Sequence, residues 1–186
     1  MTYINLKQSA KELLPTGAII LFASLLRLLP HIPNVAPIAA MALFGGIYLH
    51  KKYALVVPLI ALFLSDIFLG FYKGMPFVYG SFVLIGLCGM LLKRYKYKRL
   101  SLVFGSFFGS VLFFLITNFG VWLQSGMYAH TWEGFIRCYI LALQFFRNTL
   151  LGDLLYVLLF VVSYEIAVAL VNSKKFYLST NRLLKD

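Results

Sequence analysis

The sequence predicts an all-α membrane protein, a bundle of six transmembrane helices with both termini on the cytoplasmic side. Three observations lead there. Of 186 residues, 61% are hydrophobic and only 12% are charged, too few charges to cover the surface of a soluble domain of this length. Apolar segments recur at about 15–30, 35–49, 53–71, 77–92, 101–123 and 149–171, in a chain long enough for six spans of roughly 20 residues with short loops. The basic residues fall in clusters between those segments, as membrane topology requires. A single transmembrane domain over 1–186 is expected, with no room for a soluble enzyme domain beside it.

Taken in order, the start MTYINLKQSAKELLP is a polar amphipathic leader without a small-residue cleavage site, so the first span is expected to be retained. The first two segments are short and separated by PHIPN at 30–34; they form either a helical hairpin or a partly re-entrant pair. The third to fifth segments read as plain spans. FIRCYILALQFF at 135–146 is too short to cross and carries Arg137, so it is expected as a separate interfacial helix before the last span. Charge fixes the count. With six spans and the N-terminus inside, 13 of the 17 Lys and Arg are cytoplasmic, and only Arg27, Lys73, Arg137 and Arg147 are not. Five or seven spans would put the basic tail outside, against the positive-inside rule.

The net charge of +11 raises the question of a polyanionic partner. No basic patch is interleaved with stacking aromatics on a polar surface, so nucleic acid is not expected as a partner. The densest basic run, KRYKYKR at 93–99, reads first as a cytoplasmic topology anchor, then as a contact for a cytoplasmic partner or anionic lipid headgroups. The 18 Phe and 12 Tyr suit a chain whose side chains meet lipid and its interface. Cys88 and Cys138 imply no disulfide framework.

Ionisable groups are expensive in lipid, so each one inside a span is a candidate for function. On the six-span topology they gather in the outer half. Arg27 closes the first span, and His31 and Asn34 follow in the turn. Asp66 lies near the outer end of the third (LSDIFLGFY), Asn118 and Trp122 near the outer end of the fifth (TNFGVWL), and Arg147, Asn148 and Asp153 at the outer entrance of the sixth. The inner half offers little beyond Glu165, Ser106, Ser110 and Ser163. This pattern suggests a pocket open to the outside and closed below by apolar packing, with those nine residues as candidate substrate contacts.

Each also has a plainer role. Asp66 can pair with Arg27 or Arg147 to hold helix ends together. Asp153 can be a helix-start carboxylate favoured by the dipole. Asn118 can clamp two helices, Trp122 can be an interfacial anchor, and Glu165 can snorkel or pair with a tail lysine. His31, His130 and Cys138 share the outer side, but their spacing matches no metal motif, so neither metal nor cofactor is expected. There is no HExxH, no GxSxG and no closely spaced carboxylate pair, so the chain does not read as an enzyme. Gly45–Gly46, Gly105, Gly109, Ser106 and Ser110 mark faces where helices can approach closely.

The phrases RLLPHIPNVAPIAAMALFGGIYL, LIALFLSDIFLGFY and TNFGVWLQSGMYAHTWEGFIRCYILALQFFRNTLLGDLLY resemble an uncharacterised family of small bacterial inner-membrane proteins, and cover most of residues 26–156. That family is similar in turn to the substrate-binding S components of energy-coupling factor (ECF) vitamin transporters, in size, six spans, cytoplasmic termini and an outward polar pocket. The resemblance implies an S-component-like bundle in the bacterial inner membrane. It would bind a vitamin or related micronutrient from outside and associate with a membrane coupling subunit and two ATPases. The alanine-rich face that meets the coupling subunit in that group should lie in the first span, where this chain has Ala18 and Ala23 at a different spacing. The sequence holds no P-loop, so any ATP-driven step needs partner subunits.

The expected function is therefore a membrane substrate-binding subunit, or a solitary transporter, for vitamin-like uptake. Two alternatives from other classes stand beside it. One is a small membrane enzyme acting on a lipid or isoprenoid, for which only Asp66, Arg147 and Asp153 could supply a catalytic cluster. The other is a structural or assembly subunit whose polar groups only pair helices.

Overall fold

In lipid no water is available to bond a free backbone, so a chain this apolar must satisfy its N–H and C=O groups internally, and helices do so within one segment. The computed structural model describes the backbone of residues 3–28, 35, 37–95 and 98–183, and the side chains of 14–28, 35, 37, 39–95 and 100–170. Among the described residues there are six α-helices and no strand: α1 (Tyr3–Leu26), α2 (Ile38–Tyr48), α3 (Val56–Leu69), α4 (Met75–Leu92), α5 (Lys98–Gln124) and α6 (Trp132–Leu183). Gly70, at φ +88°, ends α3, and Gly126, at φ +72°, turns the chain after α5. Few other residues adopt those angles without strain.

Three helical stretches are long and apolar enough to cross a membrane: Met75–Leu92, Leu100–Gln124 and Trp132–Leu170. The apolar parts of the others, Leu14–Leu26, Ala39–Tyr48 and Val56–Leu69, are shorter. At 1.5 Å per residue, α2 rises only about 16 Å, roughly half a hydrocarbon core. The distribution of side chains is that of a membrane protein. Large apolar residues such as Phe22, Phe68, Phe108, Leu155 and Leu158 are exposed all round the bundle, whereas Thr16, Arg27, Ser65, Asp66, Ser81, Ser106, Ser110 and Asp153 are buried.

The core is built around α2. Met41, Leu43, Phe44 and Ile47 are fully enclosed and pack with Ile20, Leu62, Phe82, Ile85, Leu102 and Phe160 from the surrounding helices. A helix that is apolar all round belongs in such a position. The α2–α4 crossing is a backbone contact. A Cβ at Gly46 would fall 2.4 Å from the Gly86 carbonyl oxygen, and one at Gly89 would fall 2.8 Å from that of Leu43. The small residues read from the sequence at 45–46 thus set how closely two helices meet.

One expectation is corrected. The 135–146 segment is not a separate interfacial helix. It continues into the last span within α6. Residues 147–148 between them are helical, and Gly152 further on stays helical close against Val35. The first half of α6 is held along α5 by side chains: Cys138 donates to the Asn118 carbonyl (3.6 Å), Tyr139 to that of Leu115 (2.6 Å), and Phe146 packs on Phe114 (4.9 Å). The apolar stretch of 39 residues rises about 58 Å, so it extends well beyond one hydrocarbon core.

Candidate functional site

The helix order sorts the loops into two ends. Lys93 donates to the Leu49 carbonyl (2.7 Å), so the loop after α2, with Lys51 and Lys52, shares an end with the 93–99 run. Loops 70–74 and 125–131 lie at the other end. Three polar groupings occupy the interior.

The first joins α1, α3 and α4 toward the less basic end. Arg27, just past α1, pairs with Asp66 Oδ1 at 3.0 Å. Its guanidinium also donates to the Ser65 hydroxyl and the Leu62 carbonyl (3.5 Å). The Tyr79 hydroxyl donates to Asp66 Oδ2 at 2.9 Å. Asp66 is 0% exposed and Arg27 7%, so the charges are buried, but as a pair with further donors, the condition under which such a pair survives. In loop 70–74, burial raises the Tyr72 phenol above its ordinary value; the nearby Asp66 carboxylate adds to this and Arg27 opposes it.

The second lies where α2 begins, near the middle of α5. Ser110 donates to Asp153 Oδ2 at 2.6 Å, and the Ala40 backbone of the first turn of α2 lies against the same carboxyl. Asp153 Oδ1 and Ser106 Oγ have no hydrogen-bond partner. A carboxyl at an N-terminus and an ammonium at a C-terminus both complement a helix dipole. The enclosed α2 therefore has Asp153 at its start and Lys93 at the carbonyl just past its end. This corrects the expected place of Asp153. It is not a helix-start carboxylate at the entrance to a span; it lies inside α6 and faces the start of another helix.

The third is a cavity of about 540 Å³ between α4, α5, α6 and loop 125–131. Thr117, Asn118, Tyr128, Gln144 and Thr149 supply its polar lining, and Phe113, Phe114 and Phe146 its aromatic walls. Thr117 donates to Phe113 O (2.7 Å), Thr149 to Phe145 O (3.2 Å) and Asn118 Nδ2 to Phe114 O (2.8 Å), all on their own helices. A hydroxyl has one proton, so the two threonines present only acceptor lone pairs to a guest. No Asp, Glu, Lys or Arg lines this cavity, but a neighbouring cleft that shares Met127, Tyr128 and Leu141 carries Glu133 and Arg137.

The nine residues singled out from the sequence do not form one pocket. Arg27 and Asp66 meet; Asn118 lines the cavity; Asp153 sits with Ser110. Trp122 fastens loop 125–131, its indole N–H donating to Ala129 O (3.0 Å) and its ring packing on His130 and Phe135. Arg147 is exposed and Asn148 half-buried on α6. His31 and Asn34 lie outside the described residues. Nor do Asp66, Arg147 and Asp153 form the cluster a lipid enzyme would need, since each carboxyl is engaged on a different set of helices. Tyr79, Thr117, Gln144 and Thr149 were missed. The four-residue step from Thr117 back to Phe113, typical of a helix-bonded threonine, was the available signal for one of them.

A family model matches residues 7–181. The chain belongs to DUF6580, a family of unknown function. No curated protein and no solved structure matches this DUF6580 chain. Among its described residues, no group of three or more His, Cys, Asp or Glu could hold a metal ion, and both cysteines are free. What this DUF6580 bundle can offer a guest is a chamber of aromatic walls and neutral polar groups, with charge at the neighbouring cleft.

Proposed function

We propose that this DUF6580 protein is a membrane substrate-binding subunit, similar to the S components of ECF transporters, that captures a vitamin-like micronutrient. The observation that carries the reading is the cavity on α4, α5 and α6. Its volume of about 540 Å³ suits a small molecule, and its mix of apolar walls with a few polar groups is that of ligand sites. The neutral lining favours an uncharged solute. Such a solute would carry donors for Thr117 and Thr149 and a planar part to lie against Phe114 and Phe146. The positive-inside rule puts the basic end in the cytoplasm of a bacterial cell and opens the cavity outward. A coupling subunit with ATPases, or a solitary mode, would supply the translocation step.

The test is native mass spectrometry of the protein in mild detergent, followed by titration of candidate vitamins. Asn118→Leu should lose a stoichiometric small molecule and keep the melting temperature of the empty protein. A protein that is empty as purified and that no vitamin stabilises would sink the capture role. A second reading, an assembly subunit, is favoured by one observation: the Arg27–Asp66–Tyr79 grouping is satisfied without any guest. Stable co-purification of partner subunits with no ligand would support it.

A further inference from the structure

A second cavity, of about 560 Å³, lies between α4 and α5 on the outside of the bundle, at the basic end. Its lining is almost wholly apolar, with Cys88, Leu91 and Tyr95 from the α4 side and Phe104, Phe108 and Leu115 from α5. Gly105 and Gly109 form its floor. Along α5, from Phe104 to Leu115, the groove rises about 16 Å. That is one leaflet of a hydrocarbon core of about 30 Å. Length alone therefore matches a single acyl chain standing in the leaflet at the basic end.

Charge identifies which lipid. The groove's lower lip is Tyr95, 65% exposed, inside the run KRYKYKR at 93–99. Lys93 is committed to the Leu49 carbonyl. Arg94, its neighbour, is exposed, and Lys96, Lys98 and Arg99 follow in the sequence. A tyrosine at the headgroup level beside an exposed arginine suits a phosphate. We infer that the α4–α5 groove is a binding site for one anionic phospholipid, its acyl chain along Gly105 and Gly109 and its headgroup at Tyr95 and Arg94. This stands apart from the capture cavity and does not depend on it.

The probe is an equimolar mixture of phosphatidylglycerol and phosphatidylcholine with identical chains, added to the full-length protein in mild detergent and read by native mass spectrometry. The wild-type protein should retain phosphatidylglycerol with at least tenfold preference. Arg94→Gln should lower that preference about fivefold, the effect of one basic residue near an anionic headgroup. Gly109→Leu should cut retention of both lipids at least fivefold, because its side chain fills the groove. A Cβ there makes ordinary contact with Ile85 at 3.4 Å, and the rest of the leucine side chain must share the space between α4 and α5. If Gly109→Leu does not fold, Cys88→Trp at the same groove reads the same loss. Equal retention of the two lipids by the wild type would overturn the inference. So would phosphatidylglycerol binding that neither groove-filling variant lowers, or a second protein chain in the groove in place of lipid.

Discussion

Removing Arg27 is the most informative single perturbation of this fold. Arg27→Met would keep the length of the side chain and delete its charge, leaving Asp66, 0% exposed, with the Tyr79 hydroxyl at 2.9 Å and no cation at 3.0 Å. Breaking a buried pair by removing one partner costs about 3–5 kcal/mol, because the stranded charge must be neutralised or left unpaired. For a chain of this size each kcal/mol corresponds to roughly 2–4 °C, so the melting temperature should fall by roughly 6–20 °C. Asp66→Leu alone should cost a similar amount by stranding Arg27. The double variant, Arg27→Met with Asp66→Leu, removes both charges at once and should recover most of the loss, since apolar replacement of a whole buried pair is close to neutral. The assay is thermal unfolding in one detergent, arranged as a double-mutant cycle. If the single variants each cost less than about 1 kcal/mol and their effects add, the pair does not clamp the helices and the reasoning fails.

The remaining predictions concern packing and helix ends. Gly46→Val should prevent correct assembly or cost more than about 3 kcal/mol in thermal unfolding, since the clash is with the Gly86 carbonyl, backbone that cannot rotate away. Lys93→Met should lower stability by about 0.5–2 kcal/mol, losing both the bond to Leu49 and the charge at the end of α2. Trp122→Phe should leave the melting temperature nearly unchanged but free loop 125–131, read as faster proteolysis there, because only the bond to Ala129 is removed.

Helices were the legible part, because period and polarity alone decide where an apolar chain can cross. The sequence reading places six apolar segments: those at 77–92, 101–123 and 149–171 lie within α4, α5 and α6, and those at 15–30, 35–49 and 53–71 overlap α1, α2 and α3 but run past their ends. Its errors came from length and depth. FIRCYILALQFF is too short to cross by itself, but a helix need not stop where hydrophobicity dips, and Arg147 stays exposed on α6 while the backbone continues. The expectation of Asp153 at an entrance fails for the same reason. Once α6 is continuous, the residue falls well inside it and opposite Ser110. The Arg27–Asp66 pairing was one of two partners the sequence offered. Tyr79 was not visible, because a tyrosine in FVYGSF looks like any interfacial aromatic until α3 and α4 are side by side.

The polar interior then divides by what each group is needed for. A helix as short as α2 cannot reach both faces of a membrane, so the free N–H groups at its start fall among other helices, where side chains can satisfy them. Asp153 with Ser110 lies at the start of α2, and Lys93 reaches the carbonyl just past its end. Arg27, just past the end of α1, reaches Leu62, Ser65 and Asp66 along α3 and closes an ion pair that needs no guest. Two of the three polar groupings are thus accounted for, one by the start of α2 and one by a satisfied pair between helices, whatever the protein binds. The third has no such account. α5 and α6 run uninterrupted past Thr117, Asn118, Gln144 and Thr149, and no helix end there requires polar company. Polar side chains that the fold does not need, gathered around a chamber with aromatic walls, are the ones a ligand would explain, which is why the functional weight falls on that chamber and not on the buried charges.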